Sequence, residues 1–185
     1  MIKEVCQDAE VRMQKVVEQA KKDFGSIRTG RANPAILDRV VVDCYGSQMP
    51  LNQVANVSAP EPRMILVQPW DKTILGEVEK AILKADLGFN PANDGNVIRL
   101  AIPQLTEERR REYVKLLKKD AEEKRIAVRG VRRDANEKLK KMEKNGEITE
   151  DEQKKGLDEV QKLTDKYIAE IDQLMANKEQ EIMEV

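Results

Sequence analysis

Arg111, Lys115, Lys118, Glu122, Arg125, Arg129 and Arg132 follow one another at spacings of 4, 3, 4, 3, 4 and 3 residues. On an α-helix such spacing keeps all seven on one narrow stripe. Six of the seven are cationic. The chemistry open to such a row is recognition of a matching row of negative charge, and a phosphate backbone is its natural counterpart. Arginine dominates at Arg125, Arg129, Arg132 and Arg133, and its planar fork suits bidentate phosphate contact better than lysine.

A charged helix face is more often merely solvated, and solvated faces usually alternate in sign. Here Glu122 is the one acid on the stripe. Gly130 sits inside the arginine cluster, at a cost of about 1 kcal/mol relative to alanine. Close approach of a partner to the backbone would account for it, and so would a slight bend. The chain's net charge of −1 over 185 residues conceals all this. Residues 109–133 hold eleven Lys/Arg against four Asp/Glu, whereas residues 134–185 hold nine against fifteen. Positive charge is concentrated in part of one helix.

Other chemistries find little support. The chain has no histidine, which removes the commonest general base and the commonest zinc ligand. Cys6 and Cys44 form no CxxC pair and fall in apolar registers, so both read as buried free thiols of a reducing compartment. The glycine-containing segments Arg28-Thr29-Gly30-Arg31 and Gly88-Phe89-Asn90-Pro91 match neither a P-loop nor a dinucleotide fingerprint. Asp38 and Asp43 lie an odd number of residues apart and would face opposite sides of a strand. No catalytic residue, metal or cofactor is expected. Helix–turn–helix, zinc-finger and RNP patterns are absent, and aromatics are 3% of the chain. The expected partner is folded RNA, read by shape and phosphate position. No segment has signal-peptide or membrane-span character, so a cytoplasmic protein without membrane contact is expected.

The elements that must position the stripe can be read from periodicity. Ile2, Cys6, Ala9, Met13, Val16, Ala20, Phe24 and Ile27 hold a three/four spacing, which predicts a first helix ending at Gly30. All seven prolines lie in residues 31–105. There Val40-Val41-Val42, Met64-Ile65-Leu66-Val67 and Val97-Ile98-Arg99-Leu100-Ala101-Ile102 read as strands, and residues 71–85 as a helix through Ile74, Val78 and Ile82. Thr106 caps a second long helix with the seam Tyr113, Leu117, Ala121, Val128, Val131, Ala135, Leu139 and Met142, the gap being filled by the stem of Lys124. Asn145-Gly146 breaks it, and Thr149-Glu150-Asp151-Glu152 is a capping box for a third.

Each long helix has a single apolar stripe, so none is stable alone and the three must share a bundle. The predicted fold is α+β: a long antiparallel three-helix bundle from residues 1–29 and 106–185, with an inserted β/α/β domain over 30–105. Two linkers, Thr29-Gly30-Arg31 and Pro103-Gln104-Leu105, join the two and permit a hinge. An adaptor gripping another protein through the acidic third helix is the alternative use of such a bundle. An enzyme housed in the inserted domain is disfavoured by the missing histidine and metal ligands.

Taken in order, Arg28-Thr29-Gly30-Arg31-Ala32 with Pro34, Asp86-Leu87-Gly88-Phe89-Asn90-Pro91, Ile98-Arg99 before Pro103, Leu105-Thr106-Glu107-Glu108-Arg109-Arg110, Ala127-Val128-Arg129-Gly130-Val131-Arg132-Arg133-Asp134-Ala135 and Gln161-Lys162-Leu163-Thr164-Asp165 resemble the bacterial ribosome recycling factor family over the whole chain. The sequence departs from the family pattern at Gly130, Cys44 and Phe89. The resemblance implies an L-shaped, tRNA-like molecule that acts as a monomer between the ribosomal subunits after termination. It implies action with the GTPase elongation factor G, whose GTP supplies the energy, to split the subunits and release mRNA and tRNA. It implies contact with large-subunit rRNA through Arg110, Arg129, Arg132 and Arg133, with Arg28 and Arg31 near the hinge. Arg125 joins this set from the stripe itself.

Overall fold

The computed structural model describes residues 1–184. They fall into two compact units, Met1–Arg28 with Glu107–Met183, and Thr29–Thr106 with the chain end at Glu184.

The first unit is built from α1 (Ile2–Gly25) and two longer helices that follow the insertion, Glu107–Lys144 and Glu150–Met183. In α1 the buried side chains are Cys6, Ala9, Met13, Val17, Ala20 and Phe24. Val17 is more deeply buried than the predicted Val16, which packs at the margin of the core. Two partner helices flank this seam, and a stripe facing two neighbours is wider than a stripe facing one. The helix also ends at Gly25 rather than Gly30. Ser26 Oγ donates to the Asp23 carbonyl, and the Ile27 N–H donates to the Phe24 carbonyl at 3.2 Å. This tighter turn carries Ile27 into the core after the α-helix has stopped. Periodicity records where side chains must point, not which hydrogen bonds close each turn.

The pairs Asp8–Lys138, Arg12–Asp134 and Asp23–Lys124 place α1 antiparallel to the second long helix. That helix buries Leu117, Ala121, Val128, Val131, Ala135 and Leu139. At the gap in this seam Lys124 lies with its side chain only 14% exposed, its ammonium on Asp23 at 2.6 Å and on Asp120 at 3.2 Å. Burial works against the charged lysine, but these two carboxylates more than offset it and hold its pKa above the ordinary value. Asp23 is correspondingly lowered, first by Lys124 and then by Gln19. The last helix opens on the predicted capping box: Thr149 Oγ1 accepts from the Glu152 N–H at 3.1 Å, and Glu152 Oε1 accepts from the Thr149 N–H at 3.2 Å.

The second unit contains α2 (Leu75–Lys84) and six strands, β1 (Val41–Cys44), β2 (Ser47–Pro50), β3 (Ala55–Glu61), β4 (Met64–Pro69), β5 (Pro91–Asn93) and β6 (Ile98–Ala101). The bundle helices that follow are α3 (Glu107–Lys144) and α4 (Glu150–Met183). A hairpin pairs β1 with β2, and a second antiparallel sheet has the order β3-β4-β6-β5. The hairpin turns on Tyr45 and Gly46, both at positive φ, the geometry that matches strand twist in a two-residue loop. Strands β2, β3 and β5 carry no strand signal in the sequence. Both β3 and β5 are edge strands. Edge strands satisfy one ladder only and tolerate the prolines that each of them contains. The helix is shorter than the predicted 71–85. The Asp71 carboxylate accepts from the Thr73 N–H at 2.9 Å and starts a 3-10 turn, Lys72–Ile74, ahead of α2. Ile74, Val78 and Ile82 are buried as their spacing requires. Cys6 lies in the bundle core and Cys44 in the core of the second unit, both free.

Candidate nucleic-acid interface

All seven stripe residues lie on α3, and its neighbour α4 divides them into two rows. Lys118, Arg125 and Arg132 form the row beside α4. Lys118 reaches Glu179 at 3.8 Å, Arg125 Nε donates to Asp172 at 2.7 Å, and Arg132 donates to the Gln161 side-chain oxygen at 3.3 Å. Further round the helix stand Arg111, Lys115, Glu122 and Arg129 of the stripe, alongside Lys119, Arg133 and Lys140 outside it. Of these, Arg129 donates to Glu122 at 3.2 Å. Lys115, Lys119, Arg133 and Lys140 are exposed and have no ion-pair or hydrogen-bond partner among the described residues.

This arrangement corrects the expectation that the stripe is short of acidic partners. Arg111 pairs with Glu107, and Glu122 serves both Arg125 and Arg129. The remaining acids come from α4, where a count along one helix cannot find them. Arg125 is the residue most altered by this. Its side chain is 17% exposed and is held by Asp172, Glu122 and the sulfur of Met175. Burial opposes its charge, but the bonds to Asp172 and Glu122 raise its pKa above the ordinary guanidinium value. Arg125 therefore fastens α3 to α4 and offers little to an outside phosphate. Glu122 is held below the ordinary carboxylate range, first by Arg125 and, less strongly, by Arg129.

Arg110 stands seven residues before Leu117, on the register of the apolar seam. It is half-buried, and its Nε is buried without a hydrogen-bond partner among the described residues. Arg28 is half-buried. Arg31 is exposed and pairs with Glu184. Of the linker residues, Thr29 Oγ1 accepts from the Arg31 N–H at 3.3 Å, Gly30 has open space around the position of a Cβ, and Pro103, Gln104 and Leu105 carry no regular hydrogen-bonded structure.

Sequence reasoning missed Asn136 and Lys140. Both line a groove of about 280 Å³ between α3 and α4, together with Arg132, Arg133, Glu137, Gln153 and Leu157. The available signal was the continuation of the outer row past Arg133 through Glu137 to Lys140, again at steps of four and three. Among the described residues no group of three or more Cys, Asp or Glu is placed to hold a metal ion. No described helix is long and apolar enough to cross a membrane.

The fold and the outer cationic row define a class: a helical-bundle protein with an inserted small β/α unit and a row of exposed cations along one bundle helix. The chain belongs to the ribosome recycling factor family, whose model matches residues 20–183. It is 59% identical to the ribosome-recycling factor of Syntrophomonas wolfei and 60% identical to that of Pelotomaculum thermopropionicum, each over the full length of both chains. It is similar to the solution structure of a ribosome recycling factor, with a TM-score of 0.79 and 46% identity, covering 100% of this chain and 98% of the other. It is also similar, with a TM-score of 0.67, 47% identity and full coverage of both chains, to the T. thermophilus ribosome recycling factor placed with E. coli elongation factor G on the E. coli post-termination complex.

Proposed function

We propose that this chain binds the post-termination ribosome and, with elongation factor G and GTP, splits the subunits so that mRNA and tRNA leave. Family membership over residues 20–183 is the observation that carries the reading. The chain itself performs no catalysis; it is a translation factor of the cytoplasm, acting as a monomer. Its discontinuous bundle domain, residues 1–29 and 106–185, is the docking body. The inserted domain, residues 30–105, moves about a hinge at Thr29, Gly30, Arg31, Pro103, Gln104 and Leu105 when elongation factor G engages it.

Docking on large-subunit rRNA uses Arg129, Arg132 and Arg133, with Arg110, Arg28 and Arg31 contributing nearer the hinge. Arg125 supports this surface from behind. The exposed outer row favours the assignment, because Arg133 has no described partner to give up. An adaptor working through the acids of α4 is less favoured, since Asp172 and Glu179 already serve Arg125 and Lys118.

Co-sedimentation with isolated large subunits across a salt series tests the docking. Each phosphate contact releases counterions, so affinity falls steeply as salt rises. Arg129→Ala/Arg132→Ala weakens binding while the protein stays folded. Undiminished binding by that double variant would return the stripe to a solvated face.

A further inference from the structure

The second unit carries a groove whose chemistry is the reverse of the α3 surface. Residues of the 3-10 turn Pro34–Leu37 and of β3 line it, and it holds about 350 Å³. Its polar and aromatic lining is Asp38, Asn52, Asn56 and Trp70, with no lysine or arginine. Trp70, directly after β4, is 67% exposed. The side chains of Asp38, Asn52 and Asn56 are exposed and have no hydrogen-bond or ion-pair partner among the described residues.

An open indole ring, an unpaired carboxylate and two amide oxygens together suit a cation laid against a ring. Arginine fits them better than lysine, because its planar guanidinium stacks on aromatic faces and offers a fork of donors to a carboxylate. A phosphate would instead meet Asp38 with no cation in the lining to neutralise it. The groove therefore favours protein over nucleic acid.

One wall of the groove is also a free strand edge. β3 is terminal in its sheet and pairs with β4 alone. The Trp70 N–H donates to the Val54 carbonyl at 3.1 Å. Hydrogen-bonded pairs alternate along an antiparallel ladder, so in the register Asn56↔Gln68, Val57↔Val67 it is Asn56 that bonds to β4 and Val57 that turns its N–H and C=O outward. Pro69, which has no N–H, falls opposite Ala55 in the non-bonded set, as this alternation requires. The backbone of Val57 has no partner elsewhere among the described residues. An outward row of N–H and C=O groups is matched by one thing, the backbone of another extended chain.

We propose that this groove docks an extended segment of a partner protein, which adds as a strand to β3 and lays an arginine side chain on Asp38 and Trp70. The proposal stands whether or not α3 meets rRNA.

Fluorescence anisotropy of the full chain with short labelled peptides tests it. The parent peptide alternates threonine and valine around one central arginine, and in two others norleucine or glutamate replaces that arginine. The arginine peptide should bind saturably, and the other two about tenfold more weakly or worse, the share of one charge-assisted hydrogen bond. N-methylation of alternate amides should abolish binding in one register of the peptide and spare it in the other, because a strand on a sheet edge uses every second N–H. Asp38→Asn should bring the arginine peptide down to the norleucine level and leave the norleucine peptide unchanged. Trp70→Ala should also weaken the arginine peptide, and serves if Asp38→Asn disturbs the turn. Equal binding of the three peptides, no saturable binding at millimolar peptide, or insensitivity to both variants overturns the proposal. An RNA hairpin that binds the parent chain but not Trp70→Ala would give the groove to nucleic acid and overturn it too.

Discussion

Arg125 of α3 donates from Nε to Asp172 of α4 at 2.7 Å, although its position in the sequence is that of one more member of an outward-facing cationic row. The bond separates two kinds of arginine that look alike along the chain. One kind holds the bundle together, and the other is left for a partner.

Removing Arg125 should therefore cost stability. Arg125→Ala strands a hydrogen-bonded carboxylate at Asp172 and loses the packing of the stem, for a loss of about 1–2 kcal/mol. Arg133→Ala removes an exposed cation and should stay within about 0.5 kcal/mol of the parent. Thermal denaturation separates the two variants, and large-subunit binding should reverse their order, with Arg133→Ala the weaker binder.

Two glycines inside the bundle helices should respond oppositely to alanine. A Cβ at Gly156 would lie 2.9 Å from Leu139 Cδ1 and 3.2 Å from Ile2 Cγ2. Leu139 is fully buried, so the clash cannot relax into solvent. Gly156→Ala should lower stability by about 1–3 kcal/mol from overpacking, less whatever helix propensity returns. At Gly130 nothing lies within 4 Å of the added Cβ. Gly130→Ala should raise stability by about 0.5–1 kcal/mol. Chemical denaturation measures both. A stabilised Gly130→Ala that binds large subunits less well would show that rRNA approaches the backbone there.

The capping box at the start of α4 should be measurable by itself. Thr149→Ala deletes the acceptor for the Glu152 N–H and should cost about 1 kcal/mol. Thr149→Ser keeps the acceptor and should restore most of the loss in the same urea titration.

Acid should loosen the second unit through Asp94. Its carboxylate accepts from the Val97 and Asn96 N–H groups and from Arg99, which together hold its pKa at about 2 against an ordinary 3.8. For a carboxyl depressed on folding, the stabilisation is complete above the ordinary value and disappears as pH falls through the folded one. The urea midpoint of this unit should drop as pH falls from 3.8 to about 2, and Asp94→Asn should flatten that dependence. The single tryptophan, Trp70, lies in the second unit and reports on it by fluorescence.

The sequence by itself determined the strongly periodic elements. The seam of α3 from Leu117 to Leu139, the buried face Ile74, Val78 and Ile82, and the capping box at Thr149 are each visible over a few residues. Each is local, because helical spacing or a cap acts within one or two turns of chain. Their order, together with a run of family-specific segments, also made the family legible. The edge strands β3 and β5 were not legible, because their pairing partners lie elsewhere in the chain and their own residues need satisfy only one side.

Only the tertiary structure decided which cations are engaged. Lys118 meets Glu179, Arg125 meets Asp172 and Arg132 meets Gln161 across the α3–α4 boundary, at separations in sequence that no periodicity predicts. It likewise made the groove of Asn136, Lys140 and Leu157, which exists only where two helices lie side by side. Charge at helical spacing fixes the direction a side chain leaves its own helix. What it then meets is set by the neighbouring helix, through packing that the residues of one helix cannot encode alone.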